Sequence, residues 1–295
     1  MKNRMLLFDT DIGTDVDDAL ALTFLSIVAK EFLWSVSVTN GPVTVRANAA
    51  RTILDALQIS DIPVFRGISK PLTKDTTNFT SGKEKVGISI HHHILSTHQL
   101  LNKIKISHRN SPIRIISTAP LTTIAHIVDN SRVRTRIAEI FLMGGSSGTN
   151  GLPLKEHNFT ADPKAANLVL SSHIPIFIVP LDLTIKYPLT KNEINRFRCS
   201  TTRTGKLLWR WMCNWLETTN HLSNNDKLFK NIIYLHDPIT CMAAIHPQLF
   251  HWKKIHCNIS NDGVMQLFGP NQVNLCTSTP SDIKNIILSV LNTCL

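Results

Sequence analysis

The chain has 295 residues, 43% of them hydrophobic and 18% charged, with a formal net charge of +10. That length buries a sizeable core, and no segment approaches the ~20 consecutive apolar residues of a membrane span. The 31 basic residues are scattered rather than gathered in blocks, and six cysteines at 199, 213, 241, 257, 276 and 294 form no Cys-x-x-Cys pair; this excludes no fold, but it argues against a nucleic-acid partner, a disulfide framework or a zinc site.

The basic start Met1-Lys2-Asn3-Arg4 leads into only four apolar residues, Met5-Leu6-Leu7-Phe8. That is too short for a signal peptide, so a first strand and a cytoplasmic protein are expected. Strand-like runs occupy 5–9, 34–39, 113–117, 139–143, 176–181 and 255–259, and helix-compatible spacing occupies 19–29, 45–57, 91–104, 121–128 and 163–170. This alternation predicts a single α/β domain over 1–295, with a mostly parallel, Rossmann-like sheet covered by helices on both faces. Residues 66–88 read as a long polar loop. In the irregular zone 199–235, Trp209, Trp211 and Trp215 share a helix that reads as core or subunit interface in preference to a base-stacking lid, with a polar break at 220–225. A hairpin is expected around Phe268-Gly269-Pro270-Asn271, and a closing helix over 281–295.

The densest chemistry lies directly behind the first strand. Asp9, Asp11, Asp15, Asp17 and Asp18 put five carboxylates into ten residues. Attraction to a helix N-terminus accounts for Asp17 and Asp18 but not for the other three. Like charges so close repel unless some stay protonated or a cation sits among them. Oxygen-only donors favour a hard ion, Ca²⁺ or Mg²⁺. Ligands of open parallel sheets bind beyond the carboxyl ends of the strands. The acidic turn, Thr118-Ala119-Pro120 and Met143-Gly144-Gly145 all fall at such ends. His91-His92-His93 with His98 reads as a polar helix start rather than a metal site, because no Cys or acid stands at ligand spacing.

Asp9-Thr10-Asp11-Ile12-Gly13 with Asp17-Asp18-Ala19 resembles the signature of the nucleoside hydrolase family, the calcium-dependent ribohydrolases of the inosine–uridine type, with two extra residues between its halves. Ser117–Ala125, Met143-Gly144-Gly145, the run from Asn150 to Asn158, Asp162–Ala166, Pro180–Thr184 and His236-Asp237-Pro238 are similar to further family segments, in family order. The resemblance implies the nucleoside hydrolase fold and hydrolysis of the N-glycosidic bond of ribonucleosides to ribose and free base. It also implies a Ca²⁺ ligated by Asp11, Asp18, Asp237 and the Thr118 carbonyl, with a bound water activated by Asp11 as general base. By the same match, Asp17 binds ribose hydroxyls, Asn150, Glu156 and Asn158 grip the sugar, and Met143 packs beneath it. His236 stands beside the leaving base, where an imidazole titrating near neutral pH would protonate it. The implied partners are a small ribonucleoside substrate and a second or further copies in a homodimer or homotetramer.

Three positions depart from the family pattern. Pro42, in Thr39-Asn40-Gly41-Pro42, falls where a sugar-binding side chain belongs, which Asn40 replaces only if the loop is rearranged. Ser81 stands where many members carry a histidine near the base, and Thr123 replaces an Asn. Two other functions compete. One is a Mg²⁺-dependent phosphotransferase with Asp9 as nucleophile, although Gly13 stands where that signature has Thr. The other is a ribonucleoside-binding family member with little turnover.

Overall fold

The computed structural model describes residues 5–73, 88–91, 93–108, 110–148, 155–220 and 230–295. Eight strands form one sheet: β1 (Met5–Thr10), β2 (Leu33–Val38), β3 (Val64–Arg66), β4 (Ile113–Ser117), β5 (Ile137–Met143), β6 (Ile176–Val179), β7 (His251–Ile259) and β8 (Met265–Ser278). Their order across the sheet is β3-β2-β1-β4-β5-β6-β8-β7. All neighbours run parallel except β7, which pairs antiparallel with β8 as an edge. The helices are α1 (Asp17–Val28), α2 (Val43–Ala56), α3 (Thr97–Ile106), α4 (Thr122–Asp129), α5 (Ser131–Arg134), α6 (His157–Ala161), α7 (Pro163–Leu170), α8 (Leu181–Thr184), α9 (Lys191–Arg198), α10 (Arg203–Asn220), α11 (His236–Ile245) and α12 (Ile283–Asn292).

The central strands are apolar on both faces, as expected for a sheet covered twice. Leu6, Phe8, Val36, Ile116 and Phe141 belong to the core that includes α1, α2, α11 and α12; Leu7, Ile113, Ile115, Ile140 and Leu142 belong to the core of α3, α4 and α7. The first helix is buried along most of its length, from Asp17 to Ser26, and packs against α11 and α12. From β1 the chain steps outward to β2 and β3, then returns to lay β4 on the other side of β1. That reversal opens a crevice beyond the carboxyl ends of β1 and β4. It is pinned by Thr118 N–H donating to the Asp9 carbonyl at 2.9 Å and Thr39 N–H to the Thr10 carbonyl at 3.1 Å.

Three sequence expectations are corrected. The hairpin turn lies at Ser260–Val264, where Val264 O accepts from Ser260 N–H at 2.9 Å, and not at Phe268–Asn271. Around Gly269 the register jumps instead from Cys257–Asn271 to Asn258–Gln266, a bulge within β8. Gly269 has φ 146°, and a Cβ there would meet the Cys257 carbonyl oxygen at 2.7 Å, so the glycine permits the close approach rather than a reversal. The helix expected over 91–104 starts at Thr97, because Ser96 and Gln99 form a reciprocal capping box. Short β3, absent from the expected strands, lies just ahead of the expected loop and takes in its first residue, Arg66, pairing with β2 through Val36–Val64 to Val38–Arg66. Most of the 66–88 loop, Ser81 included, and most of the 220–225 break lie outside the described residues.

The hairpin tip abuts the loop ahead of α6. Lys155 bridges Val264, and a Cβ on Gly263 (φ 85°) would meet the Thr160 backbone at 2.4 Å. On the other side of α6, buried Asp162 gathers five donors. They are Ala165 N–H at 3.2 Å, Thr122 Oγ1–H at 2.7 Å, Leu72 N–H at 2.8 Å, Thr73 N–H at 3.1 Å and Thr73 Oγ1–H at 2.8 Å. These tie α7, α4 and the segment after β3 together. Removing the carboxylate strands buried donors, so Asp162→Ala is expected to cost about 3 kcal/mol of stability. Asp162→Asn should be nearly as costly, since its NH₂ would face donors. Urea unfolding curves check both, and a loss below about 0.5 kcal/mol for either would refute the assignment.

Candidate active site

A cavity of about 340 Å³ opens beyond the carboxyl ends of β1, β4 and β5. Asp11, Asp17, Asp18, Thr118, Met143, Glu156, Asn158, His236 and Asp237 line it, together with Thr14, Asp15, Lys155, His157, Thr160, Leu181 and Trp215. The acidic turn is folded by its own carboxylates. Asp15 Oδ1 accepts from Val16 N–H at 2.5 Å, and Asp17 Oδ1 accepts from Asp18 N–H at 3.1 Å. Far along the chain, the first turn of α11 brings Asp237 alongside, with its N–H donating to Asp17 Oδ2 at 3.3 Å.

Asp17, Asp18 and Asp237 are all buried, and one carboxylate oxygen from each lies within 4.8 Å of the others. Burial, then the neighbouring carboxylates, push all three well above the ordinary carboxylate range. For Asp18 the opposing influences are the Thr10 hydroxyl and the Arg46 charge. Asp18 also accepts from the Thr118 hydroxyl at 3.1 Å. An all-oxygen, buried, mutually repelling donor set of this size suits a hard divalent cation.

Asp11 does not belong to that trio, although the sequence reading grouped it there. Its Oδ2 accepts from the Thr14 hydroxyl at 2.9 Å, with Arg46 Nη2 and His157 Nε2 each 3.9 Å away. The structure instead groups Asp17, which the sequence reading gave to the sugar, with Asp18 and Asp237. Thr118 turns its carbonyl to Asn158 Nδ2 at 3.2 Å, and the same amide donates to the Met143 carbonyl at 3.1 Å. Glu156 caps α6: it accepts from Asn158 N–H at 2.7 Å, Phe159 N–H at 3.1 Å and Gly145 N–H at 2.9 Å. Its carboxylate is thus committed to the main chain and orders the loop that carries Asn158. Burial raises its pKa, against those hydrogen bonds.

His236 is buried against Tyr234, with its Nδ1 2.7 Å from the Thr184 hydroxyl. Burial lowers its pKa to about 3. The ring is therefore neutral at pH 7, which corrects the expectation of an imidazole titrating near neutrality. Asn40 does not line the cavity; its left-handed backbone (φ 64°) turns the chain into α2, and its carbonyl accepts from Arg46 Nε at 2.7 Å. Asn150 lies outside the described residues. Asp9 is sealed between β2 and β4, accepting from Ser37 Oγ at 2.5 Å and Ser117 Oγ at 3.4 Å. Burial pushes it to about 8. It does not reach the cavity, so the nucleophile that the phosphotransferase reading requires is not available there.

Sequence reasoning missed Arg46, Lys155 and His157 as residues of this region. The indole N–H of Trp215 is held by the Ile232 carbonyl at 3.0 Å, and the residue both packs against the core and lines the cavity. Trp211 of the same helix is buried, as expected. Arg46 was legible as a charge three residues from Val43, on the apolar stripe that continues through Ala47, Ala50 and Leu54.

The model of the inosine-uridine preferring nucleoside hydrolase family matches residues 6–278. The chain belongs to that family. This nucleoside hydrolase is accordingly an N-glycosidase that cleaves the N-glycosidic bond of ribonucleosides. It is 30% identical over 263 residues to the pyrimidine-specific ribonucleoside hydrolase RihA of Shewanella sp. strain MR-7, covering 84% of this chain and 80% of that one. Against the protein of the same name from strain ANA-3 it is 28% identical over 259 residues, covering 84% and 80%. In structure it is similar to the purine-preferring ribonucleoside hydrolase from Gardnerella vaginalis, with a TM-score of 0.82, 22% identity and 99% of both chains covered. That last likeness concerns the fold.

The raised acids give the hydrolase a defined pH response. Without a bound cation, the folded chain keeps protons on them at pH values where the unfolded chain has lost them, so stability falls as pH rises from about 4 toward their folded values. His236 works oppositely but only below about 6.5, where the unfolded ring is charged. Chelated protein should therefore melt lower at pH 8 than at pH 6.5, and added Ca²⁺ should raise the midpoint more at pH 8. Thermal unfolding with Ca²⁺ and with chelator tests this; equal increments at both pH values would mean that these carboxylates do not hold the ion.

Proposed function

We propose that ribonucleoside cleavage takes place in this cavity, with Asp11 as general base and Asp17, Asp18 and Asp237 as the seat of a Ca²⁺. The observation that supports it is the convergence of three buried carboxylates, a separately held fourth and a neutral histidine at the switch point of one sheet. The Thr118 carbonyl, at the rim of the same cluster, is a further oxygen donor. When bound, such a cation lowers the pKa of a coordinated water and fixes vicinal sugar hydroxyls.

The residues supply the rest. Asp11 Oδ2, oriented by Thr14, takes a proton from the attacking water. Asn158, braced by Glu156 and Met143, orients the sugar, and Met143 closes the floor beneath it. Departure of the base builds positive charge on the ribose ring, which the carboxylate-lined wall stabilises more than the neutral substrate. His236 hydrogen-bonds the leaving base as a neutral imidazole, with its ring held by Thr184. Trp215 gives that base an apolar face. The pyrimidine-specific enzymes among the relatives make uridine and cytidine the first substrates to test, with inosine and adenosine beside them.

The same reading takes residues 1–295 as one unit, assembled as a homodimer or homotetramer in the cytoplasm. Among the described residues no helix is long and apolar enough to cross a membrane.

Free ribose released from the four nucleosides, with Ca²⁺ and with chelator, tests the assignment. The expected result is cation-dependent release, and Asp11→Asn should lower kcat by about 10³-fold or more with the fold retained. Near-parental release by that variant would remove Asp11 as the base. Cation-independent release would remove the metal, and nucleoside binding without release would favour the binding-protein reading.

For His236→Ala the expected loss is larger on natural nucleosides than on an activated aryl riboside, whose leaving group needs no hydrogen bond. The parental pH–kcat profile should show no limb near 6.5 that disappears in this variant. Equal losses on both substrates, or such a limb, would refute the role of a neutral imidazole.

A further inference from the structure

Among the described residues Arg46 is the largest fully buried side chain, and it sits in the first turn of α2. Nothing in helix formation favours a cation there, because the amino end of a helix already carries positive partial charge. Burying a guanidinium also costs several kcal/mol unless its donors are met. Its donors are met by main chain from two loops. Nε donates to the Asn40 carbonyl at 2.7 Å, and Nη1 donates to the Asp11 carbonyl and to the Ile12 carbonyl, the latter at 3.2 Å. Nη2 has no hydrogen-bond partner among the described residues and lies 3.9 Å from Asp11 Oδ2.

The two loops joined by this fork are those in which the chain departs from the expected pattern. One is the acidic turn, lengthened by two residues and carrying Ile12; the other is Asn40-Gly41-Pro42, which lacks the side chain expected at 42. Its planar donor fork reaches three carbonyls at once, which a lysine point charge cannot do.

We infer that Arg46 is a positioning residue for catalysis: by clamping the Asp11 and Ile12 carbonyls to that of Asn40, it fixes where the Asp11 carboxylate stands over the sugar. This rests on Asp11 being the general base. Arg46 does not line the cavity, and although its charge also bears on Asp18, its side-chain fork holds the main chain of Asp11 and Ile12.

The test is a cycle of Arg46→Gln, Asp11→Asn and the double variant, with kcat and KM for uridine at saturating Ca²⁺ and thermal midpoints of the chelated proteins. Arg46→Gln should lower kcat about 10²-fold, as a misplacement near 1 Å does, with KM within about threefold. The double variant should be no slower than Asp11→Asn alone, because a misplaced base and an absent base are the same defect. Parental kcat in Arg46→Gln, whatever its midpoint, would overturn the inference, as would losses that multiply in the double variant. An active Asp11→Asn single variant would instead remove the base assignment on which it rests. If Arg46→Gln fails to fold, Arg46→Lys carries the test: kcat at least about tenfold down supports the fork, and parental kcat overturns it.

Discussion

Three carboxylates share one dry space at the mouth of the sheet, and the rest of the molecule is arranged to tolerate that. Asp17 and Asp18 come from the start of α1, and Asp237 from the start of α11, more than two hundred residues later. The packing of α1 on α11 holds them together, although each charge repels the others. Such a cluster is unfavourable for folding unless protons or a cation neutralise it. Its place is set by the reversal of strand order between β1 and β4, which opens the crevice there.

The buried acids of this hydrolase separate by the partners they find. Asp162 accepts from five donors, and Glu156 from three backbone N–H groups. Asp9 has two serine hydroxyls. Each of these acids joins one element of the fold to another. Asp17, Asp18 and Asp237 face one another instead, and their few donors are not enough to offset burial. A well-supplied carboxylate is architecture, whereas an undersupplied one in a cavity is available for chemistry.

The acidic turn was legible because five aspartates in ten residues exceed what a helix start can use, and Asp237 because it recurred in family order with His236 and Pro238. Side-chain direction was not legible. Nothing in the sequence says that Asp11 turns to Thr14 and Arg46, or that Asp17 joins Asp18. Glu156 was grouped with the sugar-binding residues by its place in the family segment, and the structure gives its oxygens two N–H donors at the start of α6 and that of Gly145 after β5. The fold misreadings have similar causes. Gly269-Pro270 has turn composition but serves a bulge, while Asn261-Asp262-Gly263, a stronger turn signal, makes the reversal. A three-residue strand such as β3 carries too short a pattern to separate from loop.

Charge balance connects the turn, the clamp and the reaction. Of the carboxylates that line the cavity, Asp11, Asp17, Asp18 and Asp237 are buried around the acidic turn, and among the described residues the buried cation set against them is Arg46. A divalent ion added to the trio still leaves negative charge in excess. In a solvated cleft that excess would be screened, but these side chains are almost wholly removed from water, where charges act at longer reach. In the proposed reaction the excess faces the sugar, which is neutral in the substrate and positive as the base leaves, so the same field that makes the empty cluster costly favours the transition state over the ground state. A neutral His236 fits that balance: a second buried cation at the base would spend the field on the protein's own charge rather than on the ribosyl ring.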